Sequence, residues 1–169
     1  MANFDGKYGD LGTKINITTQ DYEVDGYTVS AEIAMEVVHV AVDTLTFDVW
    51  ITNGTITNNN IPANNISIQN SHIQFSHFNG RKTITTTDDN FVITGTGEGI
   101  AENGVIYTYS TGQEIIFQAT CNYETFGSYT LKATDQQDRI LEVGEGGGCD
   151  SKMSVTIPPA NGNQIVEIP

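Results

Sequence analysis

Positive charge is what this sequence has least of. Lys and Arg together number 7 against 21 Asp and Glu, a formal charge of −14 at neutral pH. Nucleic-acid affinity comes mainly from cations that displace counterions from phosphate. A nucleic-acid partner is therefore excluded, and an anionic membrane surface is disfavoured for the same reason. No apolar run reaches the roughly 18 residues that a membrane-spanning helix needs. The opening Met1-Ala2-Asn3-Phe4-Asp5 has neither the basic start nor the apolar stretch of an export signal. Two expectations follow: a cytosolic protein, or a mature exported domain begun at an added Met1-Ala2.

Catalytic signatures are missing as well. No Gly-x-Ser-x-Gly elbow occurs, so serine-based hydrolysis has no support. The glycine-rich run 144–148 precedes no Lys-Ser or Lys-Thr pair and opens no helical pattern. It reads as a tight turn rather than a phosphate cradle. His72 and His77 have odd spacing, which points them to opposite faces of a straight strand. His39 sits among valines and reads as a core or edge residue. Glu32 and Glu36 share one strand face but stand about 13 Å apart at the usual rise per residue. Paired-carboxylate glycoside hydrolysis needs a separation of roughly 5–10 Å. Asp135, Asp138, Glu142, Glu145 and Asp150 offer hard oxygen ligands, yet lack the EF-hand spacing of a calcium loop. They read as solvated turn carboxylates, as does Asp88-Asp89-Asn90. No catalytic residue, metal site or cofactor is expected, and the chain is read as non-enzymatic.

What is present is β-structure. The length of 169 residues suits one domain, 1–169. Val29, Ala31, Ile33, Met35 and Val37 alternate with Ser30, Glu32, Ala34 and Glu36, the period of a half-buried strand. Residues 31–45 can also be read as a helix, because Ile33, Val37, Val40 and Ala41 share a helical face. The density of Val and Thr and the lack of a helix stop favour strand. Leu45, Phe47, Val49 and Ile51 alternate with Thr46, Asp48, Trp50 and Thr52. Further strands read at 14–19, 66–69, 72–78, 82–87, 91–96, 105–110, 114–121, 128–133, 139–143, 153–157 and 164–168. Asn-Gly at 53, 79, 103 and 161 marks hairpin tips, with Asp25-Gly26 and Thr111-Gly112 as weaker ones. The expected fold is all-β, an antiparallel sandwich or flattened barrel of about ten to twelve strands.

Cys121 and Cys149 lie 28 positions apart. No His follows Cys121, so a metal site lacks ligands. Asp150 beside Cys149 would raise a thiol pKa, the wrong direction for a nucleophile. A disulfide needs only proximity in an oxidising compartment, and it is the expected state. A low charged fraction of 17%, with Thr, Asn, Gly, Ser and Gln as the polar surface, also suits an extracellular, cell-surface or periplasmic setting.

The segments Ala119-Thr120-Cys121-Asn122-Tyr123, Gly127-Ser128-Tyr129-Thr130-Leu131, residues 139–150 ending Gly146-Gly147-Gly148-Cys149-Asp150, and Met153-Ser154-Val155-Thr156-Ile157 carry a resemblance. They resemble the C-terminal part of uncharacterised secreted or lipid-anchored proteins of the Bacteroidetes, over about 50 residues. The additional glycine of 146–148 and Pro158-Pro159 depart from that pattern. The resemblance implies an upstream export signal and lipid anchor. Phe4-Asp5-Gly6-Lys7-Tyr8-Gly9 is similar to the opening strand of lipocalin-like calycins.

Trp50 falls on the nominally polar face of its strand, with Asp48 and Thr52. An exposed Trp on a sheet can stack on a sugar ring. Tyr107 and Tyr109 share one face of their strand and are expected to extend that platform. The functional expectation is a binding or accessory domain whose ligand is a glycan, a small apolar molecule or another protein. A structural or adhesive subunit joined through exposed strand edges is the alternative, and a hydrolase the second.

Overall fold

Period-2 alternation dictates the architecture, and a computed structural model shows how it is used. The structure describes residues 9–61, 65–79, 86–121, 124–144, 149, 153–157 and 164–168, the last as backbone pairing only. Ten strands form one antiparallel sheet: β1 (Lys14–Val24), β2 (Tyr27–Val40), β3 (Thr44–Asn58), β4 (Asn65–Phe78), β5 (Asn90–Ile100), β6 (Ile106–Gln118), β7 (Glu124–Ala133), β8 (Arg139–Val143), β9 (Met153–Ile157) and β10 (Gln164–Ile168). Each strand pairs with its successor, so the topology is a pure meander with β1 and β10 at the edges. The all-β antiparallel expectation is met. The sheet does not close into a barrel.

Fewer, longer strands replace the dozen short ones. Asn53-Gly54 is not a hairpin tip. Asn53 takes a left-handed φ of 51° inside β3, and the β2–β3 register slips between Ser30 and Glu32. That is a β-bulge, which kinks a strand without ending it. Thr111-Gly112 likewise lies within β6, at a slip between Thr111 and Gln113. Residues 66–69 and 72–78 fuse into β4 across a slip between Ile68 and Asn70. Residues 31–45 are strand, turn and strand, so the helical reading falls away. Of the expected strand 82–87, the first four residues lie outside the described residues, and Thr86–Asp88 is a 3-10 turn. Asp25-Gly26 is a true tip: φ of 47° and 81° make it a primed turn that matches strand twist. Asn103-Gly104 is also a tip, closed by the Ala101 amide donating to the Val105 carbonyl at 2.9 Å. Gly80 and Asn161-Gly162 lie outside the described residues.

One face of the sheet is apolar. Val37, Leu45 and Phe47 are buried there, with Met35, Val49 and Phe75 packed against them. Phe47, Phe75, Phe91 and Phe117 continue as a row across β3–β6, with ring centroids 6.5, 5.3 and 6.3 Å apart. Aromatic pairs at such distances add about 0.5–1.5 kcal/mol each beyond their burial. His77 joins this face: it lies 4.8 Å from Phe91 and 3.0 Å from Asp89. Asp89 is therefore a buttress for His77, not a plain turn residue.

The Cys121–Cys149 disulfide is formed, with Cα atoms 5.3 Å apart. It ties the end of β6 to the segment after β8. Loop-closure entropy for a separation of 28 residues corresponds to about 3–4 kcal/mol. Replacing both cysteines by serine should lower the melting temperature by about 10 °C, read by circular dichroism with and without reductant. An unchanged melting temperature would show that the bridge contributes nothing to stability.

β5 carries Gly95, Gly97 and Gly99 on the apolar face. The Tyr109 ring lies directly over Gly97, and the Ser67 carbonyl and the Tyr107 ring crowd Gly99. A Cβ at Gly99 would collide with backbone, which cannot step aside as a side chain can. Gly99→Ala should cost about 1–3 kcal/mol, the usual range for overpacking, in a denaturant melt. A wild-type midpoint would mean that β4 and β5 are not held this close.

Candidate functional site

The second face of the sheet is polar, and the register builds it row by row. Trp50 pairs with His72, His72 with Thr96, Thr96 with Ser110 and Ser110 with Thr130. Directly opposite residues in an antiparallel pair share a face. One row therefore crosses five strands, β3 to β7. The next row of that face adds Thr52, Asn70, Glu98, Thr108 and Lys132. These side chains line an open groove of about 450 Å³.

Within the groove the Trp50 and His72 rings stack almost parallel, centroids 5.1 Å apart and planes 6° off. Trp50 remains 36% exposed. His72 Nε2 lies 3.6 Å from Asp48 Oδ1. Gln74 Nε2 donates to the same carboxylate oxygen at 3.2 Å. These contacts fix the imidazole ring that backs the indole. Asn70 Nδ2 donates to Glu98 Oε1 at 2.9 Å, which orients the carboxylate of the groove. Lys132 Nζ sits 3.2 Å from Asp138 Oδ2 at one end. Exposed pairs of this kind contribute only about 0–1 kcal/mol each, so they orient side chains more than they stabilise the fold. The site offers a flat aromatic surface, hydroxyls, an amide, one carboxylate and one ammonium.

Sequence reasoning placed Trp50 correctly on the polar face. The expected extension of its platform by Tyr107 and Tyr109 is not formed. Both tyrosines lie on the opposite face, because Tyr109 pairs with Gly97 and Tyr107 with Gly99. The Tyr109 hydroxyl bonds to that of Ser71. The Tyr107 hydroxyl donates to the Ser67 carbonyl at 3.1 Å. Their rings pack over Gly97 and Gly99, on the face opposite the Trp50 indole. His72 and His77 do fall on opposite faces, as their spacing requires. His39 is exposed, not a core residue. Asn70, Thr96, Glu98, Ser110 and Lys132 carry no sequence motif. Only the strand register brings them together. Among the described residues no three His, Cys, Asp or Glu side chains converge on a metal position, and no helix is long and apolar enough to cross a membrane.

Comparison with protein-family models, with curated proteins and with solved structures returned no match.

Two tyrosines of the apolar face titrate late. Burial raises the Tyr129 pKa, helped by Glu124 and Tyr109, and burial raises that of Tyr107, helped by Tyr109. A buried phenol resists becoming an anion. The folded chain then holds these protons more tightly than the unfolded one. Their contribution to stability is complete below the ordinary value of 10.0 and is lost as pH rises above it. The denaturation midpoint should hold up to about pH 10 and fall beyond it. Tyr107→Phe and Tyr129→Phe should each remove one late transition from the tyrosinate absorbance curve. Loss of an early transition instead would contradict the partial burial of these rings.

Proposed function

We propose that this chain is an exported, non-enzymatic domain that binds a glycan across the polar face of its sheet. The observation that carries this reading is the half-exposed indole of Trp50, set beside a groove whose other walls are hydroxyl, amide and charged side chains. Sugars present one apolar face of C–H bonds and a rim of hydroxyls. A flat ring answers the first, and convergent polar groups answer the second. Glu98, oriented by Asn70, accepts from sugar hydroxyls, and Thr96, Ser110 and Thr130 both donate and accept. The disulfide supports an oxidising compartment, extracellular or periplasmic. An upstream lipid anchor, as in the Bacteroidetes proteins that the C-terminal region resembles, belongs to the same reading.

Hydrolysis is the weaker alternative. Glu98 is the one carboxylate among the groove's lining residues, whereas paired-carboxylate chemistry needs two. A surface-assembly role draws on a different observation. Among the described residues β1 pairs with β2 alone, and Ile17, Tyr22 and Val24 are exposed along it, the profile of a strand edge able to take a partner.

Trp50 is the sole tryptophan, so its emission reports on the groove directly. Titration with neutral cello-, malto-, xylo- and chito-oligosaccharides should shift that emission for at least one series. Trp50→Ala should weaken the same binding, read by calorimetry, by at least about tenfold, equivalent to about 1.4 kcal/mol. Trp50→Phe should retain part of it. A spectrum unmoved by every series would overturn the glycan reading.

A further inference from the structure

The opposite, apolar face carries a second concavity of about 360 Å³, toward the end of the sheet where the β5–β6 and β7–β8 turns lie. Ala101, Val105, Tyr107, Leu131 and Ala133 form its walls, and Arg139 stands at its margin. The register puts these side chains on one face: Tyr107 pairs with Ala133, and Leu131 with both Tyr109 and Arg139. Ile66 lines it as well and is 42% exposed, so the groove is open to solvent.

The charge of its margin is unusual for this chain. Lys14, Lys132 and Arg139 are the Lys and Arg side chains among the described residues. Lys14 is held by Glu36 at 3.3 Å and Lys132 by Asp138 at 3.2 Å. Arg139 forms no ion pair among the described residues. One guanidinium nitrogen donates to Gln136 Oε1 at 2.7 Å, which steadies the head and leaves other N–H groups of the planar fork available. Asp138, its chain neighbour, turns to the polar face to meet Lys132. In a protein with a threefold excess of carboxylates, a cation beside an apolar groove that meets no carboxylate among the described residues offers a place for an anion. A guanidinium takes a carboxylate in a bidentate fashion.

We infer that this groove binds an amphipathic monocarboxylate, its apolar tail laid between Tyr107, Leu131 and Ala133 and its carboxylate held by Arg139. The site is independent of the glycan groove, which lies on the other side of the same sheet. At roughly 30 Å³ per water, the groove holds about a dozen waters, which suits a medium-length chain such as octanoate.

The test uses octanoate and 1-octanol as probes, followed by heteronuclear NMR of the full chain. Octanoate should shift the amides of Ala101, Val105 and Ala133, and 1-octanol should bind at least about tenfold more weakly. Arg139→Gln should weaken octanoate about tenfold and leave 1-octanol within twofold. Ala133→Phe, which fills the groove, should weaken both. Trp50→Ala should leave octanoate binding unchanged, so this inference can fail or stand apart from the glycan reading. Equal affinity for acid and alcohol, octanoate binding indifferent to Arg139→Gln, shifts confined to other residues, or no shift up to the micelle limit would each overturn it.

Discussion

The placement of Tyr109 over Gly97 is the constraint on which the rest of this sheet depends. A tyrosine ring needs space above the neighbouring strand, and a glycine directly opposite supplies it. The ring then reaches past β5, and its hydroxyl meets Ser71 on β4. Three strands are locked in one register by one side chain, and Tyr107 over Gly99 repeats the device two residues along. Because successive side chains alternate faces, a slip of one residue would exchange every apolar side chain for a polar one. Fixing Tyr109 against Gly97 thus also fixes Trp50, His72, Thr96 and Ser110 on the other side. Buried Ser71 is satisfied by the same contact, and no buried side-chain nitrogen or oxygen among the described residues lacks a partner.

From that constraint the two faces acquire different chemistry. The phenylalanine row of β3–β6 gives the apolar side its cohesion. The opposite side is free to carry polar groups because it contributes little burial. The proposed glycan groove and the proposed carboxylate groove are consequences of this division. One face offers hydroxyls around a single indole. The other offers an apolar trough whose margin holds a guanidinium with no ion pair among the described residues. Adjacent residues Asp138 and Arg139 show the division at its smallest scale: one serves the polar face, the other the apolar face.

Strand content was legible because alternation is a local signal, as in Val29 to Val37 and Leu45 to Thr52. The long strands were not, because a bulge and a hairpin tip share one local conformation. Asn53 has the left-handed backbone of a turn residue, and only the partner strand decides that the chain runs on. The disulfide was legible by elimination, since two cysteines with no His or basic partner had little else to do. Of the polar groove, the face of Trp50 was legible from the alternation of its own strand. Tyr107 and Tyr109 read in isolation as an extension of the Trp50 platform, and the glycines that draw their rings to the other face lie on a different strand. Glu98 and Lys132 are ordinary surface residues until the register sets them beside Trp50.

Both grooves depend on which face each side chain takes, and nuclear Overhauser contacts measure that directly. Contacts are expected from the Trp50 indole to the His72 ring, and from the Tyr109 ring to the α protons of Gly97, which the ring current shifts. Contacts between the Trp50 and Tyr109 rings would place both on one face and contradict the register on which both grooves are built.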